Sequence, residues 1–164
     1  MCFSFYMMHN NRIKILLAIL ICCIFSCRQI NVFEYNTTIP KQLWNLNFSA
    51  TGSFKITDTA SSYSIYLVLR HLDTYKYDNI WLDMGLAGPG DTLYHQKVNL
   101  TLASEANGWE GSGMNDIWEV RKLLNGQPRK FIKAGVYHFS INHIMRDNPL
   151  PGILSAGLRV EKSP

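Results

Sequence analysis

Cys27 carries the most pointed chemistry in the sequence. This thiol stands just after an apolar run from Ile15 to Phe25, which itself follows His9, Arg12 and Lys14. A basic stretch, an apolar run and then a cut is the order of a secretion signal. The run is shorter than the roughly 20 apolar residues that a membrane-spanning helix needs. Ordinary secretory cleavage asks for small residues at both −3 and −1, but only Ser26 is small here, and a thiol follows it. The pattern is that of a bacterial lipoprotein signal cut between Ser26 and Cys27, leaving diacylglycerol on the sulfur and an acyl chain on the new amino terminus. Ile24 at −3 fits this reading, and Phe25 at −2 is bulkier than usual. Cys22 and Cys23 are poorer sites, because Ile21 and Cys22 would then occupy −1. Each buried methylene contributes about 0.8 kcal/mol, so one chain holds marginally and two or more hold firmly. These acyl chains are the only covalent groups expected, with no other cofactor.

The remaining reactive side chains are scattered. Glu110 and Asp116 flank a glycine-rich loop, and a carboxylate pair of that kind is what glycoside hydrolysis requires. Nothing in the sequence sets their separation. Gly108 to Gly113 (GWEGSG) lacks the order of a dinucleotide loop, and Gly111-Ser112-Gly113 lacks the frame of a serine nucleophile elbow. His138 and His143 are five apart on one expected strand and so point to opposite faces, and His71 and His95 have no ligand-spaced companions. The expectation is no enzyme, no metal and no small-molecule substrate. Tyr75, Tyr77, Trp81 and Trp109 are candidates for partner binding, because tyrosine and tryptophan are the common anchors of interfaces. Arg70 joins them if it is exposed, while Trp44 and Trp118 are expected in the core. A side-by-side row of exposed rings would favour a glycan-binding alternative, and Glu110 with Asp116 an envelope hydrolase.

The elements that must hold these residues are strands. The chain has 164 residues and four cysteines, all at or before Cys27, so no disulfide framework supports the mature domain. Removing 26 residues leaves 138, enough for one domain that buries about two-thirds of its unfolded surface. Of 16 basic residues, 14 remain against 12 acidic ones, dispersed along the chain, which implies no nucleic-acid partner. No second apolar stretch of spanning length follows Cys27. Period-two alternation dominates: Tyr63, Ile65, Leu67 and Leu69 share one face of a strand over 63–70, and Ile80, Leu82, Met84 and Leu86 repeat the pattern over 80–86. Further strands are expected over 32–35, 48–56, 92–96, 98–102, 117–124, 129–132, 136–144 and 154–161, with Asn125-Gly126 as a hairpin turn. Asp116 to Leu124 also fits a helical stripe. The reading is a signal-peptide helix over 1–26, a lipidated tether over 27–45, and an antiparallel β-sandwich of eight or nine short strands over 46–164, jelly-roll or Ig-like.

The motifs also stand in a recognisable order. W-x3-F (Trp44 to Phe48) precedes F-x-I-x-D-T (Phe54 to Thr59), then YSIYLVLRH (Tyr63 to His71), TYKYDNIWL (Thr74 to Leu82) and GWEGSG. The chain closes with GVYHFSINHIMRDNPLPGILSAGLRVE (Gly135 to Glu161). Over nearly the whole mature chain it resembles the GldH family of gliding-motility lipoproteins of Bacteroidota. The resemblance implies an accessory lipoprotein of the gliding machinery, which is tied to type IX protein secretion across the outer membrane. Members also occur in relatives that do not glide, so an envelope-assembly or secretion-support role covers both cases. Only Cys27 carries over, as the lipid attachment site. With Arg28 rather than an aspartate after that cysteine and no acidic run beyond it, the expected place is the outer membrane, facing the periplasm. The expected partners are the membrane, through the anchor, and an envelope protein complex.

Overall fold

The computed structural model describes residues 32–124 and 126–163. The secretion signal, Ser26 and Cys27 lie outside the described residues. In chain order the strands are β1 (Val32–Thr38), β2 (Leu43–Trp44), β3 (Ala50–Ile56), β4 (Ser62–Leu72), β5 (Asn79–Ala87), β6 (Tyr94–Thr101) and β7 (Ala103–Ser104). They continue with β8 (Gly108–Trp109), β9 (Ser112–Met114), β10 (Ile117–Leu123), β11 (Arg129–Lys130), β12 (Gly135–His143), β13 (Leu150–Pro151) and β14 (Ile153–Lys162). No α-helix occurs among the described residues, so the helical alternative for 116–124 gives way to β10.

Two antiparallel sheets make the sandwich. The larger runs β1-β14-β4-β10-β9, with β11 also on β4, and the smaller runs β3-β12-β5-β6. Their inner faces share one core. β4 contributes Tyr63, Ile65, Leu67 and Leu69; β14 adds Ala156, Leu158 and Val160; β12 adds Tyr137, Phe139 and Ile141; β5 adds Ile80, Leu82 and Met84. These are the alternating rows of the sequence, and each fully buried aliphatic or aromatic side chain contributes about 1.5–3 kcal/mol. Gly157 is needed for close approach: a Cβ there would collide with the Tyr35 carbonyl and with Asn36 of β1.

Several expectations change. The segment 32–45, read as part of a tether, belongs to the sandwich: β1 pairs along its length with β14, and Ile39 and Trp44 are buried. Asn125 of the expected Asn125-Gly126 hairpin lies outside the described residues. Leu123 lies opposite Tyr66 and Arg129 opposite Tyr63, so β10 and β11 run in the same direction along the same edge of β4. β10 ends at Leu123 and β11 takes up the same edge at Arg129, because β4 is longer than β10 and its first residues still need a neighbour. Of residues 92–102, expected as two strands, Tyr94–Thr101 form the single strand β6. The glycine-rich stretch 104–116 contains the short strands β8 and β9 and the last residue of β7.

Candidate functional site

The outer face of the larger sheet carries a connected lattice of charges. Outward residues recur at every second position, so Glu34 (β1), Arg159 and Glu161 (β14), Arg70 (β4), and Glu119 and Arg121 (β10) share this face. Arg159 Nη1 donates to Glu34 Oε2 at 2.8 Å, and its Nε donates to Glu161. Arg121 Nη2 lies 3.7 Å from Glu34 and 2.8 Å from Glu119, whose other oxygen accepts from Arg70 Nε at 2.6 Å. Partial burial alone would raise the Glu34 carboxyl. The hydrogen bonds from Arg159 and Asn36 and the charges of both arginines outweigh that and hold it below the ordinary range. Arg159 is correspondingly raised, chiefly by its bond to Glu34. Three arginines against three glutamates leave the lattice neutral. Exposed ion pairs stabilise by about 0–1 kcal/mol each, so the lattice orients these side chains more than it holds the fold.

Arg70 stands at the end of the lattice, with its side chain 46% exposed. Beside it a groove of about 590 Å³ is lined by Asn36, Thr38, Ser112, Met114, Ile117, Glu119 and Ser155. Met114 is 76% exposed, on an edge strand of only three residues. The Oδ1 of Asn36 is buried without a hydrogen-bond partner. This arrangement offers a guanidinium fork next to an adaptable apolar wall. Such a surface suits a carboxylate-bearing protein segment.

The other residues singled out in the sequence do not join Arg70. Tyr75 is only 3% exposed, and its hydroxyl donates to the Asn79 carbonyl at 3.2 Å. Burial, the largest influence, raises that hydroxyl well above the ordinary tyrosine range. Its role as a contact residue is therefore replaced by one in the core. Tyr77 is half-buried edge-on against Tyr75, under the Lys76 ammonium at 5.0 Å. Trp109 is half-buried, with its ring 4.6 Å from that of His71. Trp81 is 43% exposed, but on the outer face of the smaller sheet. β4 and β5 are consecutive yet belong to different sheets, so Arg70 and Trp81 face away from each other. These aromatics form no continuous exposed row. Glu110 donates its backbone N–H to Leu102, and Asp116 accepts from the Asp73 N–H through its backbone carbonyl, so these contacts place both acids in loop structure. Among the described residues no group of three His, Cys, Asp or Glu side chains could hold a metal ion. The sequence reading missed the lattice, although Glu119/Arg121 and Arg159/Glu161 at two-residue spacing signal a charged outward row.

A family model described as GldH lipoprotein matches residues 31–160, almost the span of the sandwich. The chain belongs to the GldH lipoprotein family. It is 26% identical over 160 residues to the gliding motility lipoprotein GldH of Flavobacterium johnsoniae, covering 93% of this chain and 96% of that protein. Among solved structures it resembles an exo-beta-1,3-galactanase from Phanerochaete chrysosporium, with TM-score 0.39 and 9% identity over 83% of this chain and 30% of that one. It also resembles the VP2 subviral particle of infectious bursal disease virus, with TM-score 0.33 and 15% identity over 83% of this chain and 34% of that one. The chain spans about a third of the length of those two structures. GldH membership thus rests on sequence, and it makes the chain a lipoprotein of a family named for gliding motility.

Proposed function

We propose that this GldH family member is a noncatalytic accessory lipoprotein of the outer membrane. In this reading it is anchored through acyl chains on Cys27, faces the periplasm, and supports gliding or type IX secretion by scaffolding an envelope protein complex. The observation that carries the proposal is the family match over residues 31–160, which runs from just after Cys27 through nearly the whole sandwich. The groove beside Arg70 is the surface assigned to the protein partner, because it combines an exposed cation with exposed Met114 and Ile117. Deleting the gene is expected to reduce colony spreading or export of type IX cargo, and wild-type values for both would refute the role. Arg70→Glu restored to the deletion strain should leave the protein folded and membrane-bound yet fail to rescue. Full rescue would remove the groove from the proposal. Membrane fractionation of Cys27→Ala, expected in the soluble fraction or unprocessed, tests the anchor.

A further inference from the structure

The two ends of the sandwich differ in charge. Val32 lies opposite Glu161, Glu161 opposite Ser64, Lys130 opposite Ser62, and Ile56 opposite Gly135. The chain therefore enters the sandwich at the end that also carries the β3–β4 turn and the 131–134 segment. Lys55, Arg129, Lys130, Lys133 and Lys162 sit at this end, against the carboxylates Asp58, Asp91 and Glu161, for a net of two positive charges. Lys162 pairs with Asp58 at 2.7 Å and Lys133 with Asp91 at 2.6 Å. Lys55, Arg129 and Lys130 have no carboxylate within ion-pair distance among the described residues. The opposite end places Asp73, Asp78, Glu105, Glu110, Asp116 and Asp147 near Lys41, Lys76 and Arg146, a net of three negative charges.

The positive end is also apolar at its tip. Phe131 is buried against Phe54, Tyr63 and Tyr137, with ring centroids 4.7–5.7 Å away. The next residue turns outward, so Ile132 is 93% exposed and flanked by Lys130 and Lys133. Tyr94, 72% exposed, lies across a cleft of about 620 Å³ lined by both segments. An isoleucine held in water among cations fits an interface whose surface is anionic and whose interior is hydrocarbon.

We propose that this end docks on a bilayer bearing anionic phospholipid headgroups, with Ile132 entering the headgroup–acyl boundary and Arg129, Lys130 and Lys133 over the phosphates. Two observations select a bilayer over an acidic protein. The charge polarity aims the cationic end at an anionic plane and turns the acidic end away from it. Cys27 also precedes β1 by only five residues, which span at most about 18 Å when extended. The inference rests on the reading that Cys27 is acylated. Docking would fix the orientation of the domain, with the Arg70 groove toward the far end of the sheet.

The test uses the processed protein from cells, in which residue 132 or 105 supplies the one unacylated thiol. Ile132→Cys and Glu105→Cys are each labelled with an environment-sensitive fluorophore and reconstituted into phosphatidylcholine vesicles with or without phosphatidylglycerol. The label at 132 should shift to the blue and be quenched by doxyl-labelled acyl chains in anionic vesicles, while the label at 105 remains in water. High salt should weaken the effect. Adding Lys130→Gln should lower the docked-to-free ratio about fivefold, the factor that roughly 1 kcal/mol per cation represents. A water-exposed label at 132 on anionic vesicles, equal burial of both labels, or equal burial in neutral vesicles overturns the proposal. The first of these outcomes would leave the end to an acidic protein. Mass spectrometry of the same sample decides the anchor separately: burial at 132 without acyl chains on Cys27 supports docking and refutes the anchor.

Discussion

Acidification should destabilise this domain through two histidines that the core holds neutral. His71, at the end of β4, is fully buried; its Nδ1 lies 2.8 Å from the Leu72 carbonyl and its Nε2 has no partner. His143, at the end of β12, is 1% exposed, packs edge-on to Trp44 at 5.4 Å, and has neither ring nitrogen in hydrogen-bond geometry. Burial pushes both imidazoles below the ordinary histidine range, and the nearby backbones of Leu72 and Trp44 offset only part of it. With the folded value depressed, the unfolded chain binds more protons in the interval below about pH 6.5, so stability rises with pH there. Their contribution is fully present above that pH and is lost as pH falls through it. Each histidine gives a slope of at most about 1.4 kcal/mol per pH unit, so the pair gives up to about 2.7. Glu34, Asp58 and Asp147 are held below their ordinary values, so their losses begin only in more acidic solution. The interval from about pH 6.5 to 5 thus isolates the histidines. Urea unfolding of the purified protein across that interval, for wild type and for His71→Phe with His143→Phe, measures the slope. A wild-type stability that is flat over the interval, or a double variant with an unchanged slope, would refute the reasoning.

Two further outcomes test the packing. Leu67 is fully buried between the sheets, so Leu67→Ala should lower stability by about 2–5 kcal/mol in the same urea assay, and a loss below 1 would mean the sandwich collapses around the gap. Gly157→Ala forces a methyl group into the Tyr35 carbonyl; it should cost on the order of 1–3 kcal/mol and loosen β1, seen as faster amide exchange at Tyr35 to Thr37 with little change in β12.

The all-β class and the principal strands were legible because burial of one sheet face imposes a two-residue period on local sequence. Tyr63 to Leu69 and Ile80 to Leu86 show it plainly, and both rows lie in the core except for half-buried Leu86. The family was likewise legible, because the order and spacing of motifs survive where single residues do not. Alternation says which side chains share a face of one strand, but not which strands share a sheet. Arg70 and Trp81 look like neighbours across one turn; sheet assignment puts them on opposite outer faces of the sandwich. Asn125-Gly126 carries hairpin chemistry, yet the long edge of β4 takes up the chain on both sides of it. Local sequence determined strand, period and family. Long-range pairing alone decided that a charged lattice ends at Arg70, that Tyr75 is core, and that Ile132 protrudes among lysines, because each depends on which distant strand covers an apolar face.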